Sequence, residues 1–176
     1  MKKLTIITAF AALAALSGLA SAQSNVTVFG VIDMSVNSVT NGSTHMTSVD
    51  SSQQSTSRIG FMGTEKISND TSASFFLDSG LDTTMGTAGA GTTSAASSQL
   101  FNRRATLSLT NTKLGELRLG RDFVPTYNVF QRLDVFTANG LAEGFTLAND
   151  VLGSGVGTNV RANNTISYFT PATLGG

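Results

Sequence analysis

The strongest constraint on this chain is a period of two. Val26, Val28, Gly30, Ile32, Met34 and Val36 fall on one side of an extended segment, with Thr27, Phe29, Val31, Asp33 and Ser35 on the other. Residues 57–66 repeat the rule, with Ile59, Phe61 and Gly63 opposite Arg58, Gly60, Met62, Thr64 and Lys66. Residues 71–82 set Ala73, Phe75, Leu77 and Leu81 against Ser72, Ser74, Phe76, Asp78 and Asp82. Residues 103–110 set Ala105, Leu107 and Leu109 against Arg104, Thr106, Ser108 and Thr110. Each segment is a strand with one apolar and one polar face, so the expected fold class is all-β.

The connections narrow the class further. Residues 67–70 and 111–115 are short and rich in turn formers, whereas the stretches 38–56, 83–98 and 123–162 are long and polar. Short and long alternate strictly. An antiparallel meander with its short turns at one end and its long loops at the other is the layout of a transmembrane β-barrel. A stretch as long as 123–162 is uncommon in a compact domain unless it has a function of its own or is disordered.

Composition excludes the main competitors. Charged residues make up 12 % of the 176, about half the ~25 % of a soluble globular protein, and Lys+Arg balance Asp+Glu at 11 each. Neither salt-bridged helices nor highly charged disorder fits that balance. With no cysteine, disulfides and thiolate metal sites are excluded. Too few basic residues are present for a surface that tracks phosphates, so no nucleic-acid partner is expected. His45 is the single histidine and lies in a Ser/Thr/Gly-rich stretch, which leaves a catalytic triad or His-based metal site without partners. No enzyme, cofactor or metal is expected.

Residues 1–22 read as a secretory signal: Lys2 and Lys3 precede an uncharged apolar run over 4–19, and Ala20-Ser21-Ala22 gives the cleavage pattern. Residues 23–176 then form the exported portion, with nine basic residues against 11 acidic.

The run Val26-Thr27-Val28-Phe29-Gly30-Val31-Ile32-Asp33, followed by Ser57-Arg58-Ile59-Gly60-Phe61-Met62-Gly63-Thr64-Glu65 and Phe75-Phe76-Leu77-Asp78-Ser79-Gly80-Leu81-Asp82, resembles the opening of a Gram-negative general diffusion porin. Leu100-Phe101-Asn102-Arg103-Arg104-Ala105, Leu114-Gly115-Glu116-Leu117-Arg118-Leu119-Gly120-Arg121, and then Pro125 and Tyr127 continue the resemblance in order. The type resembled is the trimeric, 16-stranded porin of beta-proteobacteria. It implies outer-membrane lipid as surroundings, a homotrimer when full length, and passive passage of small hydrophilic solutes and ions through a water-filled pore. It also implies that the third loop, about 123–162, folds inward and sets acids opposite an arginine ladder on the wall. Carried over to matching positions, Arg58, Arg104 and Arg121 stand on the wall, and Asp134, Glu143 and Asp150 stand in the loop. Asp33 and Asp78 share a face and are expected to line the lumen away from the constriction. Opposed charges across such a gap create a transverse field that discriminates ions. The net acidic excess favours cations and the ladder favours anions, and the sequence leaves the two open.

Two departures stand out: Met62 holds a lumenal position where the family often has a basic residue, and Ser167-Tyr168-Phe169 replaces an expected Arg-Tyr-Asp. About six strands use up residues 25–170, so the chain is expected to be an N-terminal portion of the barrel or a truncated product. One expectation comes from the residues alone. Alternation puts Glu116, Arg118, Gly120 and Asp122 on one face and Leu117, Leu119 and Arg121 on the other, so Arg118 and Arg121 cannot both meet water without a break. A β-bulge at or beside Gly120 is expected. The competing reading is a secreted soluble all-β adhesion or binding module, which would bury the apolar stripes in a sandwich core.

Overall fold

The computed structural model describes residues 25–88, 99–136, 138 and 160–174; the expected signal segment lies outside them. In chain order the strands are β1 (Asn25–Val31), β2 (Met34–Asn41), β3 (Thr44–Ser51), β4 (Arg58–Lys66), β5 (Thr71–Asp82) and the two-residue β6 (Thr87–Ala88). They are followed by β7 (Arg104–Asn111), β8 (Gly115–Phe123), a helix α1 (Pro125–Leu133) and β9 (Arg161–Phe169). One antiparallel sheet runs β1-β4-β5-β7-β8-β9, with β6 appended to the end of β5. These are the six wall strands that the alternation implied.

Register turns the period of two into rows. Val26, Gly63, Phe75, Leu107, Leu119 and Ile166 stand side by side across the six strands, and Val28, Phe61, Leu77 and Ala105 form the next rung. On the opposite face Asn25, Thr64, Ser74, Ser108, Arg118 and Ser167 form one row, and Thr27, Met62, Phe76, Thr106, Gly120 and Thr165 another. Burial is inverted relative to a water-soluble sandwich. Leu107 is 58 % exposed and Ile166 79 %, whereas Thr106 and Ser108 are each 5 % exposed. Among the described residues the buried hydrophobic side chains are Tyr127 and Ala138 alone, while Ser57, Asp78, Ser79, Asn102, Thr106, Ser108 and Asp122 are buried. An apolar face turned outward and a polar face turned inward is the arrangement a bilayer selects.

Both short turns lie together at one end. Ile67 and Ser68 donate backbone bonds to the Thr71 carbonyl, and the Thr112 amide donates across to the Asp70 carbonyl. The Asn111 side chain accepts from the Lys113 and Leu114 amides, and Gly115 leaves the turn with φ +94°, a conformation that favours glycine.

Three connections depart from expectation. Residues 38–56 are not one long loop, because β2 and β3 pair along their whole length as a hairpin closed at Gly42, whose φ is +60°. The stripe expected over 26–36 breaks at Asp33. The Asp33 amide donates to Ser57 Oγ (2.9 Å), and its carboxylate accepts from the Gln54 and Ser55 amides at 2.8 and 2.5 Å. This knot turns the chain out of the wall into the hairpin and back into β4. The stretch 123–162 opens with α1 instead of irregular chain, and most of its remainder lies outside the described residues.

The inverted faces make a stability prediction. In protein expressed from its intact gene, Leu107→Arg on the outer row should cost about 2–4 kcal/mol of folding into lipid vesicles. Ser74→Lys on the opposite face should cost about 0.5 kcal/mol or less. Urea titration of vesicle-folded protein measures both, and equal costs would contradict the assignment of faces.

Candidate functional site

The polar face gathers its arginines on aromatic supports. Gly60, in register with Phe29, has no Cβ to meet the Phe29 ring, and that ring packs tilted on Phe76 at 5.1 Å. The Arg104 guanidinium lies 4.5 Å over Phe76 and pairs with Asp122 at 3.3 Å. Beside it, Arg103 Nε is 3.0 Å from Asp78 Oδ2, and the Arg103 amide donates to the Asp78 carbonyl. Arg58 donates through Nη1 to the Thr56 carbonyl at 3.1 Å. Arg161 opens β9 opposite Phe123 and places its guanidinium 4.5 Å over that ring. A ring face attracts a cation while leaving part of the guanidinium accessible, so these contacts aim charge without cancelling it.

α1 completes the site. Val124 is extended and Pro125 occupies the first helical turn, where its fixed φ suits the helix and no amide is lost. Tyr127 is thereby buried and stacks on Phe123 with centroids 5.2 Å apart and planes 12° apart. Tyr127, Phe29, Asp78 and the arginines Arg58, Arg103, Arg104 and Arg161 line one cleft of about 320 Å³. Four cations share it with a single carboxylate. A second cluster, joined to the cleft through the Arg104–Asp122 pair, sits further along β8, where Arg118 bonds Glu116 and Asp122, each at 2.7 Å.

The sequence-predicted residues divide accordingly. Arg58, Arg104 and Asp78 meet in the cleft. Arg121 does not: it pairs with Ala105 on the outer rung, and its guanidinium is held by the Asn102 carbonyl at 2.7 Å and Asn163 Oδ1 at 2.8 Å. The alternation of β8 prevails there over the carried-over wall position. The expected irregularity is present beside Gly120, whose φ is +127°, but the extra residue is on β9. Gly120 pairs with Thr165 and Asp122 with Ala162, so Asn163 and Asn164 face Arg121 together. Asp33 is engaged in the loop knot described above and does not itself line the cleft, although its partner Ser55 does. Asp134 closes the turn after α1, accepting from the Phe136 and Ala138 amides. Glu143 and Asp150 lie outside the described residues.

Sequence reading missed Arg103 and Arg161. Arg103 precedes β7 and lacks an alternation partner, and Arg161 falls within the stretch treated as loop. Its pairing with Phe123 joins segments 38 residues apart in sequence, which local periodicity does not reveal. Among the described residues no cluster of His, Cys, Asp and Glu is fit to hold a metal.

An inverted antiparallel sheet, apolar on its outer face and polar on the other, is the arrangement of a transmembrane β-barrel wall. The chain belongs to the Gram-negative porin family, whose model matches residues 9–176. It is 40 % identical over 174 residues to outer membrane porin protein 32 of Delftia acidovorans, covering 97 % of this chain and 46 % of that protein. It is 32 % identical to an outer membrane porin protein of Bordetella pertussis, covering 99 % of this chain and 46 % of that one. Among solved structures it is similar to an anion-selective porin from Comamonas acidovorans, with TM-score 0.68 and 36 % identity, over 85 % of this chain and 43 % of that one. The chain thus spans about half the length of the relatives it matches, and its location is the outer membrane.

Gly120 lies between Arg118 and Asp122 on the lumenal rungs of β8, and its backbone makes it hard to replace. A Cβ there would collide with the Ala105 carbonyl oxygen at a φ that L side chains rarely adopt. Gly120→Ala should destabilise the vesicle-folded protein by about 1–3 kcal/mol in urea titration. A loss below about 0.3 kcal/mol would show that the strand relaxes freely at this point.

Proposed function

We propose that the protein forms a general diffusion channel in the outer membrane, passing small hydrophilic solutes and ions through a water-filled pore that favours anions at the arginine cleft. The observation that carries this reading is the cleft itself, where Arg58, Arg103, Arg104 and Arg161 line about 320 Å³ together with Asp78. Arg103 is neutralised by Asp78 and Arg104 by Asp122, but Arg58 and Arg161 make no ion pair among the described residues. A water-filled constriction with uncompensated cations concentrates anions and repels cations, since its walls have a lower dielectric than the pore water. The anion-selective relative supports the same sign.

In this reading α1 begins the third loop, which folds into the lumen and narrows it, and Tyr127 locks the helix to the wall through Phe123. Asp134, Glu143 and Asp150 supply the acidic side of the gap. The six strands close with further strands into the barrel, as lipid requires of β1 and β9, whose outer edges have no partner among the described residues. The assembled unit is a homotrimer, as the family resemblance implies.

Planar-bilayer recording tests this. Protein expressed from the intact gene and purified from outer membranes should give stepwise conductance with a reversal potential of anionic sign in a KCl gradient. Arg161→Gln should lower the anion-to-cation permeability ratio about two- to threefold at about 0.1 M salt, the effect on both ions of one unit charge at roughly 7 Å in water screened over about 10 Å. Absence of conductance, or cation preference in the unmodified protein, would overturn the proposal.

A further inference from the structure

The two arginine clusters on the same wall differ in their state of charge. On the lumenal face of β8, Arg118 Nε lies 2.7 Å from Glu116 Oε1, and its Nη1 lies 2.7 Å from Asp122 Oδ2. Its guanidinium is flattened 4.3 Å over Phe169, and Nε also donates to Ser108 Oγ at 3.3 Å. Arg118 thus spans from Glu116 to Asp122 along one strand, past Gly120 on the rung between them. The other oxygen of Asp122 meets Arg104 Nε at 3.3 Å. Glu116, Arg118, Asp122 and Arg104 therefore form a continuous chain of two cations and two carboxylates with no net formal charge. Arg58 and Arg161, beside it, rest on a carbonyl and a ring.

Resting on the anion-preferring channel proposed above, we infer that Glu116 is a specificity-determining residue: it neutralises the wall between the arginine cleft and the short-turn end, confining the anion-attracting zone to the cleft. Glu116 begins the first rung beyond the Asn111–Gly115 turn, so the neutral stretch lies between the cleft and that mouth of the pore. A hydrated anion leaving the cleft in this direction meets paired charges, and is released instead of held. A channel needs sites strong enough to admit an ion and weak enough to let it go, and the paired quartet supplies the second condition.

The test is Glu116→Gln in the full protein. Glutamine keeps an oxygen to accept from Arg118 and removes only the charge. The anion-to-cation permeability ratio, taken relative to unmodified protein, should rise about two- to threefold at 0.1 M KCl. The rise should fade at 1 M, where the screening length is only about 3 Å. An unchanged ratio, or a change independent of salt and so caused by pore shape, would overturn the inference. Lack of anion preference in the unmodified protein would instead count against the channel reading, which the relative shift does not depend on. Should Glu116→Gln fail to assemble, Ser167→Asp keeps the question open to refutation. Ser167 faces Arg118 in register, and the added carboxylate leaves the Glu116–Arg118 pair in place. The ratio should then fall by a similar factor at low salt, and no fall would overturn the inference.

Discussion

A bilayer offers the backbone no water, so every amide and carbonyl at membrane depth has to be bonded within the protein. The antiparallel ladder from β1 to β9 answers that requirement and fixes everything else on the wall. A fully paired strand must alternate its side chains, and once one face meets hydrocarbon the other is committed to the lumen. The inverted burial follows. Leu107 and Ile166 need no protein partner because lipid is their solvent, whereas Thr106 and Ser108 are buried, with Ser108 bonded by Arg118. Hydrophobic burial between side chains therefore does little of the stabilising within the chain, and the ladder together with the lipid does most of it.

The polar face faces the opposite problem, holding cations close together without collapsing them into a salt-bridged plug. The solution is uneven pairing. Arg103 and Arg118 are bonded to carboxylates at 3.0 and 2.7 Å, while Arg58 and Arg161 are fixed by a carbonyl and an aromatic face. Arginine suits both states, because its planar guanidinium can stack on a ring and still present donors at its rim, and it stays protonated beside other cations. Lysine, a strongly hydrated point charge on a flexible stem, would be held less firmly by the same rings. The aromatic residues of this face act as mounts: Phe76, Phe123 and Phe169 each carry one guanidinium within 4.5 Å.

What the sequence made legible follows from the same physics. Lipid demands an apolar side chain at every second position, so Ala105, Leu107 and Leu109 announced their face directly, and the turn formers of residues 67–70 and 111–115 marked one end. The β2–β3 hairpin was hidden because its apolar residues change phase. Val36 and Val39 are three apart, as are Met46 and Val49, so Val36 pairs with Val49 on one face and Val39 with Met46 on the other. A strand that leaves the membrane has no reason to keep one face apolar, and its period disappears from the sequence. The strain beside Gly120 was readable as a conflict between two arginines, but which strand takes the extra residue was not. Asn164 adopts φ +56°, and asparagine tolerates that conformation better than most residues, so the bulge formed on β9.

Arg121 and Arg118 show why identity in a motif is weaker than position in a register. Both are arginines of β8, three residues apart, and both are well bonded, yet only one faces the pore. Arg118 falls on the even rung with Glu116 and Asp122 and becomes part of the lumenal charge pattern. Arg121 falls on the odd rung beside Ala105 and is satisfied by the Asn102 carbonyl and the Asn163 amide oxygen near the end of the strand. The charge pattern of this face is thus set by where each arginine falls in the register as much as by the number of arginines.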